Sequence, residues 1–183
     1  MKYLYNTGLV IGRFQTFHKG HEFLIRHALK LCETVCVYIG SSQESGTKTN
    51  PFSYHYRVKL ITSVFTKEAM SGRLLIKPLP DMGIGNDVKW GLYVLDRIKQ
   101  DFGVNIDLYI TGCEKERSSW FTNEIAPHMD ELRLTRHNIE VSATDCRTAM
   151  LNGNIRGWKQ LVPKQLHQYY GEMLEKLRSL EIC

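Results

Sequence analysis

Residues 12–29 read "GRFQTFHKGHEFLIRHAL" and follow directly on the apolar run "LVI". The hydrophobic period changes inside this stretch. Before Gly12 the apolar residues are contiguous, as in a strand buried on both faces. After Lys19 they recur at helical spacing, with Phe23, Leu24, His27, Ala28 and Leu31 on one face of a helix over 19–31. Between the two lies a tight connection. Gly12 lets the backbone turn sharply or approach a ligand, and Arg13 is placed to reach an anion. His18 precedes the helix, His21 sits in its first turn, and Gly20 leaves room between them. A first helical turn presents free N–H groups and the positive end of the helix dipole, so the arrangement suits phosphate. Two other readings remain for the histidines. They are surface residues of a loop, or a zinc pair, although i,i+3 spacing with no Cys or carboxylate beside it is weak support for zinc.

Working outward, the same alternation continues. "TVCVYIG" (34–40) is a β-branched run ending in glycine, and a polar loop "SSQESGTKTNP" follows. A helix is expected over 53–65, a third strand at "RLLIKPL" (73–79), and a helix over 88–103 closed by Gly103. "NIDLYITG" (105–112) is a fourth strand, and a fifth lies near "ELRLT". A short capped helix at "ATDCRTAMLNG" and an amphipathic final helix from Pro163 complete the chain. Strand–helix alternation with near-continuous apolar strands predicts an α/β, Rossmann-like doubly wound parallel sheet with helices on both faces. The expected organisation is one domain over 1–183, with the core over 1–162 and a C-terminal helix over 163–183. Ligands of such sheets gather at the carboxyl ends of the strands. Residues 12–21, 40–43, Asp81 and 111–112 all lie just past strand ends, so they are expected to converge.

Bulk properties narrow the classes. With 43% hydrophobic and 23% charged residues, the chain can bury an ordinary core. Its apolar runs are too short for a membrane span, and the N-terminus lacks the layout of a signal peptide. A cytoplasmic protein without membrane partners is expected. Cys32, Cys36, Cys113, Cys146 and Cys183 make an odd count with no C-x-x-C pair, so buried free thiols are expected rather than a disulfide framework or a zinc ribbon. The net charge of +5 is mild and not clustered in runs, which fits a phosphate pocket better than a nucleic-acid tail.

A second stretch complements the first. In "VSATDCR" (141–147), Ser142 or Thr144 can cap a helix whose N–H groups form another anion site. Arg147 can hold phosphate through two parallel bonds.

"GRFQTFHKGH" resembles the H-x-G-H signature of the nucleotidyltransferase superfamily. It looks most like the G-R-F-Q-P-x-H-x-G-H form of the archaeal-type nicotinamide-nucleotide adenylyltransferases and their bacterial relatives, with Thr16 where proline is usual. "VSATDCR" is similar to that superfamily's I-S-A/G-T-x-I/V-R signature, with Cys146 in place of an aliphatic residue. "GSSQESGTKTNPFSYHYR" (40–57), "LPDMGIGNDVKW" (79–90) and "ITGCEKE" (110–116) resemble further family segments. The resemblance implies transfer of an adenylyl group from ATP to nicotinamide mononucleotide, giving NAD and pyrophosphate. It implies that His18, His21, Arg13 and Arg147 are catalytic. Gly12, Phe14, Gly20, Arg57, Gly112, Ser142 and Thr144 would join them around ATP. Gly40, Ser41, Gln43, Asp81, Asn86, Asp87 and Trp90 would bind the acceptor, with Trp90 stacking on the nicotinamide ring. Trp90 also reads as an ordinary core aromatic on a helix. Cys113 departs from the asparagine of the family's T-G-N segment. Mg²⁺ is expected on the ATP phosphates, with no protein metal site. The family's oligomers make a homo-oligomer an expectation, and the final helix could pack on the sheet or on a neighbour.

The attacking group would be a phosphate, already ionised near neutral pH, so no general base is required. Other functions remain open. One is an adenylyltransferase of the same scaffold acting on nicotinate mononucleotide, phosphopantetheine or flavin mononucleotide. Another is a non-catalytic nucleotide sensor. Cytidylyltransferases usually carry an R-T-x-G-I-S-T stretch that "VSATDCRTAM" lacks, and the chain lacks the aromatic-rich basic stretches of an RNA binder.

Overall fold

The computed structural model describes residues 2–83, 85, 87–112, 120–134 and 141–180. Five strands form one parallel sheet: β1 (Tyr5–Gly12), β2 (Cys32–Gly40), β3 (Leu74–Leu79), β4 (Leu108–Gly112) and β5 (Asp130–Leu134). Their order is β3-β2-β1-β4-β5, so the chain winds outward from β1 to one edge and then crosses to the other. Such a reversal creates a crevice at the carboxyl ends of the two central strands. Here β1 and β4 pair only as Gly8↔Leu108 and Leu9↔Tyr109, short of their glycine ends.

Period-two alternation divides the sheet between two cores. Val10, Val35, Val37, Ile39, Leu108 and Ile110 face one side, where α1 (Lys19–Leu31), α2 (Tyr54–Val64), α5 (Ala143–Leu151), α6 (Ile155–Leu161) and α7 (Tyr170–Ser179) pack. Leu9, Ile11, Cys36, Tyr38 and Tyr109 face the other, against Trp90, Val94 and Ile98 of α4 (Val88–Phe102) and against Trp120. Both faces are therefore covered, as the apolar strands required.

The bounds of α1 agree with the sequence reading, but its inner face is Ile25, Ala28 and Leu29, with Phe23, Leu24 and Leu31 at the flank. The helix-to-strand change falls at Cys32, before the strand start expected at Thr34. Ser53 caps α2, and Gly103 ends α4 at φ 67°. The chain turns once more in α3 (Thr66–Met70), which the sequence pattern did not separate from α2. α6 was also not expected. The final segment opens as a 3₁₀ helix over Lys164–Tyr169 and becomes α-helical only at Tyr170. Met173 and Leu177 are buried in the main core, so the apolar face of α7 packs on its own chain. Cys32, Cys36 and Cys146 are buried free thiols, and Cys113 and Cys183 lie outside the described residues. No described helix is long and apolar enough to cross a membrane.

Candidate active site

Two cavities open side by side at the carboxyl edge of the sheet, and Ile11, Gly12 and Arg13 line both. The larger, about 500 Å³, is the cationic one. His18 occupies the cap position of α1 without capping it through its side chain, whereas Ser53, Asp87 and Ser142 cap α2, α4 and α5. Imidazole is a poor cap, so no side chain at the cap position answers the first turn of α1. The rings of His18 and His21 stack with centroids 3.7 Å apart, and the edge of Phe14 supports His21 at 4.7 Å. Gly20 makes this stack fit: a Cβ there would meet Nδ1 of His18 at 3.0 Å. Gly12 is similarly confined, since its Cβ would meet the Phe14 ring at 3.0 Å.

Arg147 reaches the cavity from α5. Its guanidinium donates to the carbonyl of Gln15 and, at 3.2 Å, to the hydroxyl of Thr144. Burial, and then the neighbouring Arg13, lower its pKa. Two cations so close repel each other, and an anion between them relieves the repulsion. At the start of α5, Ser142 is the cap, and it forms a reciprocal capping box with Asp145. The hydroxyl of Ser142 donates to Asp145 Oδ2 at 2.7 Å and accepts from the Asp145 N–H at 3.1 Å. The Ser142 hydroxyl and the Ser142 N–H, which donates to the same oxygen at 2.8 Å, hold the Asp145 carboxyl below the usual aspartate range, helped by nearby His18. The second anion site is thus narrower than the sequence suggested, because an acidic side chain already answers part of the helix end.

Of the residues expected at ATP, Gly12, Arg13, Phe14, His18, His21, Gly112, Ser142, Thr144 and Arg147 line this cavity, with Gly20 beneath the imidazoles. Arg57 does not. Its side chain is fully buried, and its donors are spent on main-chain carbonyls. Lys48 and Thr49 line the cavity instead, delivered by the loop after β2. A lone lysine in a polar loop gave no local signal of this.

The second cavity, about 290 Å³, is built differently. Of the residues expected at the acceptor, Gly40, Ser41, Asp81 and Trp90 line it, joined by Met82, Gly83, Gly85 and Trp120. Trp90 is buried in the second core and also walls the cavity, with Trp120 edge-on at a centroid distance of 5.9 Å. Gly91 accounts for the position of Trp120. A Cβ at Gly91 would collide with the Trp120 carbonyl oxygen, so only glycine lets that backbone lie against α4. A glycine inside an otherwise regular helix was the available signal. Gln43 and Asp87 do not line the cavity. The Gln43 side-chain oxygen accepts from the Asp81 N–H at 3.1 Å, and the Asp87 carboxylate accepts from the Lys89 N–H at 2.9 Å to cap α4. Asn86 and Cys113 lie outside the described residues.

No described residues form a cluster of three or more metal-ligating side chains. The larger cavity offers imidazole, guanidinium, ammonium and hydroxyl groups, and no carboxylate lines it among the described residues. That donor set fits an anion and does not form a cation cage.

The Cytidylyltransferase-like family matches residues 9–74. The chain is 32% identical over 178 residues to the nicotinamide-nucleotide adenylyltransferase of Saccharolobus solfataricus, covering 97% of this chain and 96% of that one. It is 30% identical to the enzyme of the same name from Pyrococcus abyssi, covering 94% and 88% of the two. Among solved structures, the fold is shared with a bifunctional NMN adenylyltransferase/ADP ribose pyrophosphatase from Francisella tularensis, complexed with AMP and a Mn ion. The TM-score is 0.71 at 23% identity, over 96% of this chain and 52% of that one, so this chain spans about half of the bifunctional protein. The Plasmodium falciparum nicotinic acid mononucleotide adenylyltransferase complexed with NaAD shares the fold at a TM-score of 0.59 and 13% identity, over 92% and 95% of the two chains.

Proposed function

This chain belongs to the family of nicotinamide-nucleotide adenylyltransferases, and from that premise we propose that it joins ATP to nicotinamide mononucleotide, releasing pyrophosphate and NAD. The observation that carries the reading is the pair of cavities with a common wall: one cationic, one flanked by two tryptophans. The triphosphate occupies the larger cavity, and the nicotinamide ring occupies the smaller, against the wall that Trp90 and Trp120 form together. The two phosphates that must react then meet over Gly12 and Arg13.

The acceptor phosphate attacks the α-phosphorus of ATP, and the bond to the pyrophosphate oxygen breaks. The nucleophile is already an anion, so the protein's task is positioning and charge stabilisation. His18 and His21 donate to the triphosphate, with His21 nearest the reacting phosphorus. Arg13, Arg147 and Lys48 offset the charge of the phosphates and of the departing pyrophosphate. Mg²⁺ enters as part of the nucleotide substrate, held by phosphate oxygens and water. The whole chain acts as one nucleotidyltransferase domain.

A pyrophosphate-release assay tests the reading, run with ATP or CTP against a panel of phosphorylated acceptors. Release with ATP and nicotinamide mononucleotide is expected. Release only with another acceptor would overturn the substrate and keep the reaction class, and no release with any acceptor would overturn the class.

A further inference from the structure

Arg57 is the buried cation that the proposed chemistry does not use. It lies on α2 with no exposed side-chain surface and lines neither cavity. Its donors fan out onto main-chain carbonyls. Nη1 donates to Arg13 at 2.9 Å and to Gly40 at 2.8 Å; Nη2 donates to Ser41 at 3.1 Å and, at the long limit of 3.5 Å, to Glu44. Nε turns back to Ser53 at 3.4 Å. Five N–H groups in a planar fork thus serve five carbonyls, a pattern a lysine with three rotatable donors cannot reproduce.

These carbonyls belong to the segments that build both cavities. Arg13 is in the common wall, Gly40 and Ser41 line the smaller cavity, and Glu44 opens the loop that brings Lys48 and Thr49 to the larger. The backbone there needs holding. Ser41 has φ 46°, and Phe14, next to Arg13, has φ 55°. Side chains other than glycine keep such angles only where the surroundings over-determine them. The loop is also closed on itself: the Asn50 side chain donates to the Glu44 carboxylate, and the Asn50 N–H donates to the Thr47 hydroxyl at 2.9 Å. Arg57 ties this closed unit to the ends of β1 and β2. Burial pushes its guanidinium down to about 10, so it keeps its charge at neutral pH.

We propose that Arg57 is a positioning residue for both halves of the reaction: its fork fixes the carbonyls of Arg13, Gly40 and Ser41, and so sets the line between the two reacting phosphates without touching either substrate. This rests on the reading of the two cavities given above. A misplacement of about 1 Å in such a line costs about a hundredfold in rate.

The test compares the full chain with Arg57→Lys and Arg57→Gln by steady-state kinetics, thermal melting and separate binding of ATP and of nicotinamide mononucleotide. The expected result is a cooperative melt for Arg57→Lys, a kcat lower by about tenfold or more, and dissociation constants for each substrate alone within about threefold of the unaltered chain. Arg57→Gln should lose more of kcat. A rise confined to the KM for ATP, with kcat retained, would make Arg57 a phosphate ligand and overturn the proposal. A lowered melting temperature with kcat and both KM values unchanged would make it a stabilising brace and also overturn it. The side-chain Nε–H resonance of Arg57 in the unaltered protein tests the point without any variant. It should be slow to exchange with and without ATP and should not shift on ATP binding, and a large shift would overturn the proposal. If the unaltered chain is inactive with nicotinamide mononucleotide, the substrate reading fails by itself, and the same comparison is made with the acceptor that the panel identifies.

Discussion

The two cavities share a wall and were assembled by opposite means. The cationic one is made mostly from two contiguous stretches, residues 12–21 and 142–147, each running from a strand or turn into the start of a helix, with Lys48, Thr49 and Gly112 added from elsewhere. The tryptophan-flanked one draws on β1, β2, the group Asp81, Met82, Gly83 and Gly85, α4 and Trp120. In the first, spacing along the chain sets spacing in space, because a helix start fixes the geometry of its neighbours. In the second, position depends on how separate segments pack. Damage to the first should therefore appear in the chemical step, and damage to the second in affinity for one substrate.

The strongest test of that division is His21→Ala. Loss of a donor to the developing charge should lower kcat by about 10²-fold or more, with affinity for nicotinamide mononucleotide nearly unchanged. A variant that turns over normally would remove His21 from the chemistry. Next comes Gly91→Ala, a single methyl placed against the Trp120 carbonyl. The backbone must move, which should lower stability by about 1–3 kcal/mol, and the displaced Trp120 should raise the KM for the nicotinamide substrate while the KM for ATP holds. An equal rise in both values would show that the cavities do not act separately. Trp90→Ala should raise the same KM by several-fold, since an aromatic stack contributes about 0.5–1.5 kcal/mol; an unchanged value would return Trp90 to the core alone. The smallest effect is that of Asp145→Asn, which weakens the capping box of α5 by about 1 kcal/mol or less. Because the folded pKa of Asp145 is depressed, its stabilisation is complete above the ordinary aspartate range and is lost as pH falls through the lowered value. Melting followed from neutral to acid pH should show a shallower acid loss in Asp145→Asn than in the unaltered chain.

The same contrast explains what was legible in the sequence. The bounds of α1, the strand-end glycines and the cap of α5 rest on local rules, and they appear where those rules put them. Most of the cationic cavity follows from them. The resemblance of "GSSQESGTKTNPFSYHYR" put Arg57 on a phosphate, but sequence spacing does not reveal that α2 turns this side chain inward beneath β1 and β2. Lys48 and Trp120 were invisible for the same reason, as each reaches its cavity only through tertiary packing. α6 was hidden by its own glycines. Gly153 closes the preceding turn at φ 69°, and Gly157 leaves room for the Asn154 side chain that caps the helix, so a break in the pattern was in fact a start.

The common wall of Ile11, Gly12 and Arg13 has one more consequence. On the proposed reading, two mononucleotides would meet it as separate ligands, each giving up its own translational freedom. A dinucleotide meets it as a single bivalent ligand. Once one half is seated, the other is held beside its own cavity at a high effective concentration, and the second engagement becomes intramolecular. On the proposed reading, the contiguity that would bring the substrates together would therefore also hold the joined product.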